Sequence, residues 1–111
     1  MSSVIEVTSQ NFDQLVSLNK LIILDFWAEW CGPCKNFSPV FTEQAQRHPD
    51  ILFGSVNVED QGDLAQEFDI RSIPFLMILK ENTLIYGEAG ALSSAAFEEL
   101  IQKALTVDVN S

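Results

Sequence analysis

Residues 21–35 read LIILDFWAEWCGPCK and decide the architecture of the chain. The first eight of these residues are almost continuously apolar, which is typical of a central strand covered on both faces of a sheet. Gly32 and Pro33 mark a turn after this strand, and a long helix is predicted over residues 31–47. Cys31 and Cys34 therefore lie where a buried strand passes into a helix.

The segments on either side of this junction alternate between strand and helix patterns. Alternating residues at 4–8 predict a short strand, and Ser9 is a candidate N-cap for the helix that follows. Residues 106–111 are expected to be a frayed tail. The other predicted elements are a strand at 51–58, a helix at 62–68, strands at 75–79 and 83–86 joined by a turn at Glu81 and Asn82, and a last helix that begins at Ser93 or Ser94 and has Phe97, Leu100, Ile101 and Leu105 on one face.

This order of elements predicts an α/β fold. The strand–helix–strand units imply parallel strands, and the closing strand–strand–helix unit implies an antiparallel portion. We therefore expect a central mixed, five-stranded sheet flanked by four helices, with helices on both faces. The length of 111 residues suits one domain over residues 1–111, and the sequence contains no repeat or linker.

The charge of the chain is strongly negative. Sixteen acidic residues against six lysines and arginines give a formal net charge of −10. Such a protein is repelled by phosphate backbones and by anionic membranes, so we expect neither nucleic-acid nor membrane partners. The charge is expected to keep the chain soluble and monomeric. The alternative is that it steers the protein toward a partner with a basic docking face.

The start of the sequence has no feature of an export signal. Residues 1–3 lead directly into the first strand, without a basic region and a long apolar segment. The apolar run at 21–24 is far shorter than the ~20 residues of a membrane span. We therefore expect a cytoplasmic, reducing location. Two cysteines there indicate redox chemistry or a metal more than a structural disulfide.

The position of the cysteine pair at a helix start gives its two thiols different chemistry. Free backbone N–H groups and the helix dipole stabilise a thiolate on Cys31, which makes it the expected nucleophile. Cys34 lies one turn inside the helix and is expected to resolve the mixed disulfide formed on Cys31. A zinc site is the alternative, but it needs four ligands, and His48 is the single histidine. An inert pair of core cysteines is a further alternative.

The sequence around the pair resembles the active-site segment of the thioredoxin family. Residues 25–35, DFWAEWCGPCK, carry this resemblance, which continues through IRSIP at 70–74, Lys80 and GALS at 90–93. It covers essentially the whole chain. The resemblance implies the thioredoxin fold and the reduction of protein disulfides through Cys31 and Cys34.

Asp25 and Pro74 acquire roles through this resemblance. Asp25 is the one charge in an apolar strand, and it lies either at a solvated strand end or in the interior, where burial would raise its pKa. The resemblance implies the second case, with Asp25 accepting the proton of Cys34. Pro74 alone would be expected in an ordinary trans bond. The resemblance implies a cis bond opposite the cysteines, where the Ile73 backbone can bind an extended peptide.

The resemblance also implies a docking surface around Cys31 and a direction for the reaction. Trp27 is expected either behind the disulfide or simply in the core. Pro33 offers no hydrogen-bond donor to a thiolate, which favours the disulfide form of the enzyme and makes the dithiol form a good reductant. The expected substrate-binding residues are Trp30, Gly32, Pro33, Ile73, Pro74 and Gly90.

The partners implied by the resemblance are disulfide-containing client proteins and a thioredoxin reductase. That flavoprotein would pass electrons from NADPH, and the chain itself would need no cofactor or metal. A binding module or subunit that uses the same surface without redox chemistry is the alternative function. An oxidase or isomerase is disfavoured by Pro33 and by the missing export signal.

Four residues depart from the family pattern or carry expectations of their own. Ser55 replaces a lysine that many bacterial thioredoxins carry near the buried carboxylate, so we expect the pKa of Asp25 to be raised further than in those relatives. Phe75 is bulky and is expected either to narrow the docking surface or to make it more apolar. Asn82 tolerates a positive φ in the hairpin turn. His48 is expected on the surface near a helix end.

Overall fold

The computed structural model describes residues 3–109, which form one sheet with helices on both faces. The strands are β1 (Val4–Glu6), β2 (Leu21–Trp27), β3 (Leu52–Asn57), β4 (Phe75–Lys80) and β5 (Thr83–Ala89). The helices are α1 (Phe12–Leu18), α2 (Gly32–Arg47), α3 (Gly62–Glu67) and α4 (Ser94–Thr106). Within the described residues, no helix has the length and apolar character needed to cross a membrane.

The sheet has the strand order β1-β3-β2-β4-β5. Strands β1 and β2 both pair with β3 in parallel, whereas β4 is antiparallel to β2 and β5 is antiparallel to β4. Parallel neighbours are connected through helices, and β4 is connected to β5 by a tight turn, as their separations along the chain require. The predicted mixed five-stranded α/β fold is therefore confirmed.

Phenylalanine clusters lie on both faces of the sheet. Under α2 and α4, four phenylalanines form a cluster with ring centroids 5.4–6.2 Å apart: Phe37, Phe41, Phe53 and Phe97. The opposite face, under α1 and α3, combines aliphatic side chains with edge contacts among four further rings: Phe12, Phe26, Phe68 and Phe75. Both clusters lie against β2, whose residues from Leu21 to Phe26 are all buried. The central strand is thus fixed by packing from both sides.

The turn between β4 and β5 has the backbone that its sequence predicts. Glu81 and Asn82 have φ values of 49° and 63°. Two consecutive positive φ values are typical of the tight hairpin turns that match the twist of the strands. The N–H of Glu81 also donates to the carbonyl of Lys20 at 2.8 Å.

The prediction that Ser9 caps α1 is wrong. The N-cap is Asn11, and Thr8 and Asn11 exchange hydrogen bonds through their side chains and backbone N–H groups at 2.8 and 3.2 Å. Ser9 instead donates from its N–H and hydroxyl groups to Oε1 of Gln61, each at 3.0 Å. Ser9 does not cap α1 because it is hydrogen-bonded to Gln61, which is distant in sequence.

The buried face of α4 also differs from the predicted one. Ser93 is the N-cap, and Phe97 and Ile101 are buried as expected, but Leu105 is 45% exposed and Ala104 is buried in its place. Hydrogen bonds from Lys80 fix the backbone at this end of the helix.

The buried amine of Lys80 donates to the carbonyls of Ala104, Leu105 and Val107 at 2.9, 3.0 and 2.6 Å. Thr106 is helical and Val107 is held by Lys80, so the prediction of a frayed tail from residue 106 is wrong there. Residues 110 and 111 of that prediction lie outside the described residues.

His48 lies at a helix end, as the sequence predicts, but its side chain is less exposed than expected. It is the C-cap of α2 and is partly buried. Its Nε2 lies 2.9 Å from Oε1 of Glu98, so the side chain joins α2 to α4.

Candidate active site at the start of helix α2

Cys31 and Cys34 form a disulfide at the first turn of α2. Cys31 is the N-cap, with an extended backbone, and the following turn brings the two Cα atoms to 5.3 Å. The N–H of Cys34 donates to Sγ of Cys31 at 3.2 Å. A backbone donor aimed at this sulfur is the arrangement that stabilises negative charge on it once the disulfide is reduced.

The disulfide is almost fully buried by the residues around it. Cys31 and Cys34 are 4% and 2% exposed, and with Ala28 they form a small buried cluster. Trp27, Val58 and Ile73 pack against this cluster and are partly buried. Trp27 therefore lies against the disulfide, one of the two positions considered for it. Sequence patterns gave no signal for Val58, because its place depends on the ends of β2 and β3.

The residues expected to bind substrate lie on three segments of the chain: around Trp30, at Ile73 and Pro74, and at Gly90 after β5. Trp30 is 68% exposed, and Gly32 and Pro33 are exposed beside it. On the second segment, Ile73 packs on the cysteine cluster and precedes Pro74.

The Ile73–Pro74 peptide bond is cis, as the resemblance implies. The carbonyl of Pro74 accepts a hydrogen bond from the N–H of Gly90 at 2.8 Å, which joins the second segment to the loop after β5. Gly90 has a φ of 114°, a conformation that favours glycine. Ile73, Pro74 and Gly90 thus form one continuous backbone region that reaches the disulfide.

Phe75 was expected to shape the docking surface around the disulfide, but its side chain points away from the disulfide cluster. Its ring makes an edge contact with Phe26 at a centroid distance of 6.2 Å and belongs to the face of the sheet under α1 and α3. The ring also covers Gly87, where a Cβ atom would lie 3.3 Å from it. Side chains alternate along a strand, so the residue after Pro74 is directed to the face under α1 and α3.

Asp25 is buried in β2 on the face that α2 covers. The residue is 4% exposed, and its Oδ1 atom has no hydrogen-bond partner. Burial raises the pKa of this carboxyl from 3.8 to about 7, because the charged form loses its hydration. A solvated strand end is thereby excluded for Asp25. A carboxyl with this pKa can take up and release a proton near neutral pH.

A pocket of about 380 Å³ connects Asp25 with the inner cysteine. Its polar lining includes Asp25, Ser55 and Glu6 from the sheet, and Cys34 and Lys35 from α2. Ser55 lies beside Asp25 in the register of β2 and β3, as the family pattern predicts for the residue at this position. The presence of Glu6 in the pocket was not predicted, because it depends on the pairing of β1 with β3.

The structure gives no support to a metal centre built on the cysteines. Cys31 and Cys34 are bonded to each other, and among residues 3–109 no group of three or more His, Cys, Asp and Glu side chains could hold a metal ion. His48, the histidine considered as a ligand, is bound to Glu98 at the far end of α2. The zinc alternative therefore has no ligand set in this part of the chain.

The disulfide at a helix start, set against a cis-proline on a mixed sheet, places the chain in the class of thiol–disulfide oxidoreductases. The thioredoxin family model matches residues 3–103. A thioredoxin 2 homologue from Streptomyces coelicolor is 47% identical over 110 residues, covering 99% of this chain and 82% of that protein. The chain belongs to the thioredoxin family, and its activity is thiol–disulfide oxidoreduction.

Solved structures agree with this assignment. Thioredoxin f from spinach chloroplast superimposes with a TM-score of 0.84 at 33% identity, covering 93% of this chain and 94% of that chain. Plasmodium falciparum thioredoxin superimposes with a TM-score of 0.82, also at 33% identity, covering 89% of this chain and 97% of the other. The fold is the thioredoxin fold.

Proposed function

We propose that the chain reduces disulfides in client proteins and that Cys31 is the attacking thiolate. The observation that carries this proposal is the hydrogen bond from the N–H of Cys34 to Sγ of Cys31 at the start of α2. In the dithiol form this donor and the helix dipole favour the thiolate of Cys31. The thiolate attacks one sulfur of the client disulfide, forms a mixed disulfide and releases the other client sulfur as a thiolate.

Cys34 completes the reaction with Asp25 as its proton acceptor. The thiol of Cys34 gives its proton to the Asp25 carboxylate, and the new thiolate attacks Sγ of Cys31. The bond between Cys31 and the client breaks, the second client thiolate leaves, and the disulfide found in this structure remains. Support comes from the pocket that both residues line and from a pKa of Asp25 raised to about 7 by burial.

The client docks as an extended peptide along Ile73, Pro74 and Gly90. The backbone of Ile73 is placed to pair with that peptide, a form of strand addition. Trp30, with Gly32 and Pro33, supplies an exposed apolar surface on the other side of the disulfide. Apolar contact and backbone pairing place few demands on the client's side chains, which suits the reduction of many different proteins.

The oxidised protein is recycled by a thioredoxin reductase, a flavoprotein that draws electrons from NADPH. The relatives named as thioredoxins support this electron source, and the chain's own residues carry out the exchange without a resident cofactor. We further propose a cytoplasmic monomer whose single domain spans residues 1–111 and serves electron transport and cell redox homeostasis. The net charge of −10 favours a monomer without nucleic-acid or membrane partners.

A coupled turnover assay tests this function. NADPH, a bacterial thioredoxin reductase, the protein and a disulfide-bonded test protein are mixed, and NADPH consumption is followed. We expect continuous consumption that depends on the chain. Cys31→Ser should reduce it to background, because no mixed disulfide forms. The matched control is Ser17→Ala, an exposed position on α1 outside the pocket that Asp25 and Cys34 line, which should retain activity.

Two results would contradict the proposal. No NADPH consumption by a folded wild-type protein would exclude recycling by a reductase of this kind. Equal complementation of a thioredoxin-deficient strain by wild type and by the Cys31→Ser/Cys34→Ser variant would show that the domain acts as a binding module instead.

A further inference from the structure

Three polar residues form a row across the parallel part of the sheet. Glu6 of β1 and Asp25 of β2 are both register partners of Ser55 in β3. Register partners on neighbouring strands point to the same face, which here is the face under α2. With strands ~4.8 Å apart, the row spans about 10 Å from Asp25 to Glu6. It begins at a buried carboxyl and ends at the edge of the sheet.

Exposure to solvent increases along this row. Asp25 is buried, Ser55 is partly buried and Glu6 is exposed. All three line the pocket of about 380 Å³ that also contains Cys34. This volume is far larger than the ~30 Å³ that one water molecule occupies in the liquid. The row therefore lies along a space that water can fill between the inner cysteine and the solvent.

The chemistry of the site requires a proton path of this kind. Each catalytic cycle leaves a proton on Asp25, and the carboxyl must lose it before the next dithiol reacts. The Oδ1 atom of Asp25 is buried and has no hydrogen-bond partner in the protein, so no protein group competes with pocket water for it. The titratable groups that line the pocket with Asp25 are Cys34 and Lys35 from α2 and Glu6 from β1. Glu6 is the carboxylate among them.

We propose that Ser55 and Glu6 form the exit by which the proton of Asp25 reaches solvent. Ser55 is a positioning residue whose hydroxyl, with pocket water, accepts a proton from Asp25 as it passes its own proton on. Glu6 accepts that proton at the sheet edge and releases it to water. Asp25 becomes a carboxylate again, and Ser55 ends with the proton count it began with. This inference rests on the proposed role of Asp25.

The test follows the two thiols separately with Ellman's reagent in stopped flow. The reduced protein reacts first at Cys31, which releases one coloured thiolate and leaves a mixed disulfide. Attack by Cys34 then releases the second coloured thiolate. The assay is run at pH 6, below the pKa of about 7 of Asp25, where the carboxyl starts protonated and must lose its proton before it accepts that of Cys34. The rate of the second release at this pH therefore reports the proton exit. The variants are Ser55→Ala, Ser55→Thr and Glu6→Gln. The matched control is Glu88→Gln, because Glu88 is exposed and occupies the same row at the opposite edge, beyond Leu76.

We expect Ser55→Ala to slow the second release about tenfold, less than the ~10²–10⁴-fold that a positioned acid or base contributes as a whole. Glu6→Gln should slow it about threefold, since water still reaches the pocket. Added imidazole should restore both rates by carrying the proton itself. Ser55→Thr keeps the hydroxyl and should keep the rate. Glu88→Gln should behave as wild type, and the first release should be unchanged in all variants.

Two results would overturn the proton exit. One is an equal effect of Glu6→Gln and Glu88→Gln, which would indicate general electrostatics. The other is a second release in Ser55→Ala that is unchanged, or slowed without rescue by imidazole, which would indicate no relay or an altered structure.

The Asp25→Asn variant distinguishes a failure of the proton exit from a failure of the proposed role of Asp25. If Asp25→Asn slows the second release and the Ser55 and Glu6 variants do not, the exit alone is wrong. If Asp25→Asn has no effect, the proposed role of Asp25 is wrong as well.

Discussion

Two neighbouring rows of side chains on one face of the sheet have opposite character. Both rows cross all five strands, two residues apart, and both face α2 and α4. The first row consists of Val4, Phe53, Ile23, Ile78 and Tyr86. The second consists of Glu6, Ser55, Asp25, Leu76 and Glu88. The first row is apolar across its centre, whereas the second carries a buried carboxyl at its centre.

The difference follows from what covers each row. Rings of α2 and α4 pack on the first row and exclude water, with Phe41 and Phe97 stacked at 5.9 Å. The second row lies toward the ends of the parallel strands, where α2 begins and the pocket opens. In open α/β sheets, ligand sites form outside the carboxyl ends of strands. One sheet face thus provides stability in one row and chemistry in the next.

Truncating the aromatic cluster should give the largest loss of stability. Phe97 is fully buried and contacts the rings of Phe37, Phe41 and Phe53. We expect Phe97→Ala to lower the free energy of unfolding by ~3–5 kcal/mol, because it leaves a cavity in a packed core. Chemical denaturation measures this loss. The control is Leu105→Ala on the same helix, where the exposed side chain predicts a change within ~0.5 kcal/mol.

The kinetic result distinguishes the two rows. The second release from the mixed disulfide, measured on the folded protein, should be unchanged in Phe97→Ala. A slowed release would show that the aromatic row also contributes to the chemistry.

Asp25→Asn should change stability in a pH-dependent way. The pKa of Asp25 is about 7 in the folded protein and 3.8 is its ordinary value, so the unfolded chain ionises first as pH rises. Wild type therefore loses stability relative to Asp25→Asn between pH 4 and 7, and the difference stays constant above that range. The difference amounts to at most about 4 kcal/mol. Denaturation of both proteins across this range measures it, and a difference independent of pH would contradict the expected ionisation.

The position of the cysteine pair next to the second row was predictable from the sequence because its signals are local. Cys31 and Cys34 adjoin an apolar strand, so their place at a helix start required no tertiary information. Asp25 interrupts that strand, which left a solvated strand end or the interior open, and the resemblance to the thioredoxin family implied the buried position that the structure shows. The order of all nine elements followed from the alternation of strand and helix patterns.

The remaining features were not predictable because they depend on long-range contacts. Glu6 joins the pocket through the pairing of β1 with β3, about fifty residues away. Ser9 is hydrogen-bonded to Gln61 and does not cap α1. Leu105 is exposed at the end of α4, where its carbonyl accepts a hydrogen bond from Lys80. Phe75 was expected at the docking surface, but its side chain lies on the face under α1 and α3, because its direction depends on where β4 begins.

Ser55→Lys is expected to have the smallest effect, and it tests how two neighbours in the second row, Ser55 and Asp25, influence each other. The new ammonium would lie beside Asp25 in the register of β2 and β3, where it favours the charged carboxylate. We expect it to lower the pKa of Asp25 below the wild-type value of about 7. Carboxyl NMR titration of both proteins measures the change. An unchanged pKa would refute the expectation that the missing lysine leaves Asp25 more strongly raised.

The most direct test is the titration of Asp25 in the oxidised wild-type protein, where neither cysteine titrates. The carboxyl carbon is followed by NMR and identified by its absence from the spectrum of Asp25→Asn. The account predicts a titration midpoint at about 7, because burial disfavours the charged form. A midpoint near the ordinary value of 3.8 would show that Asp25 is already a solvated carboxylate and would contradict the account.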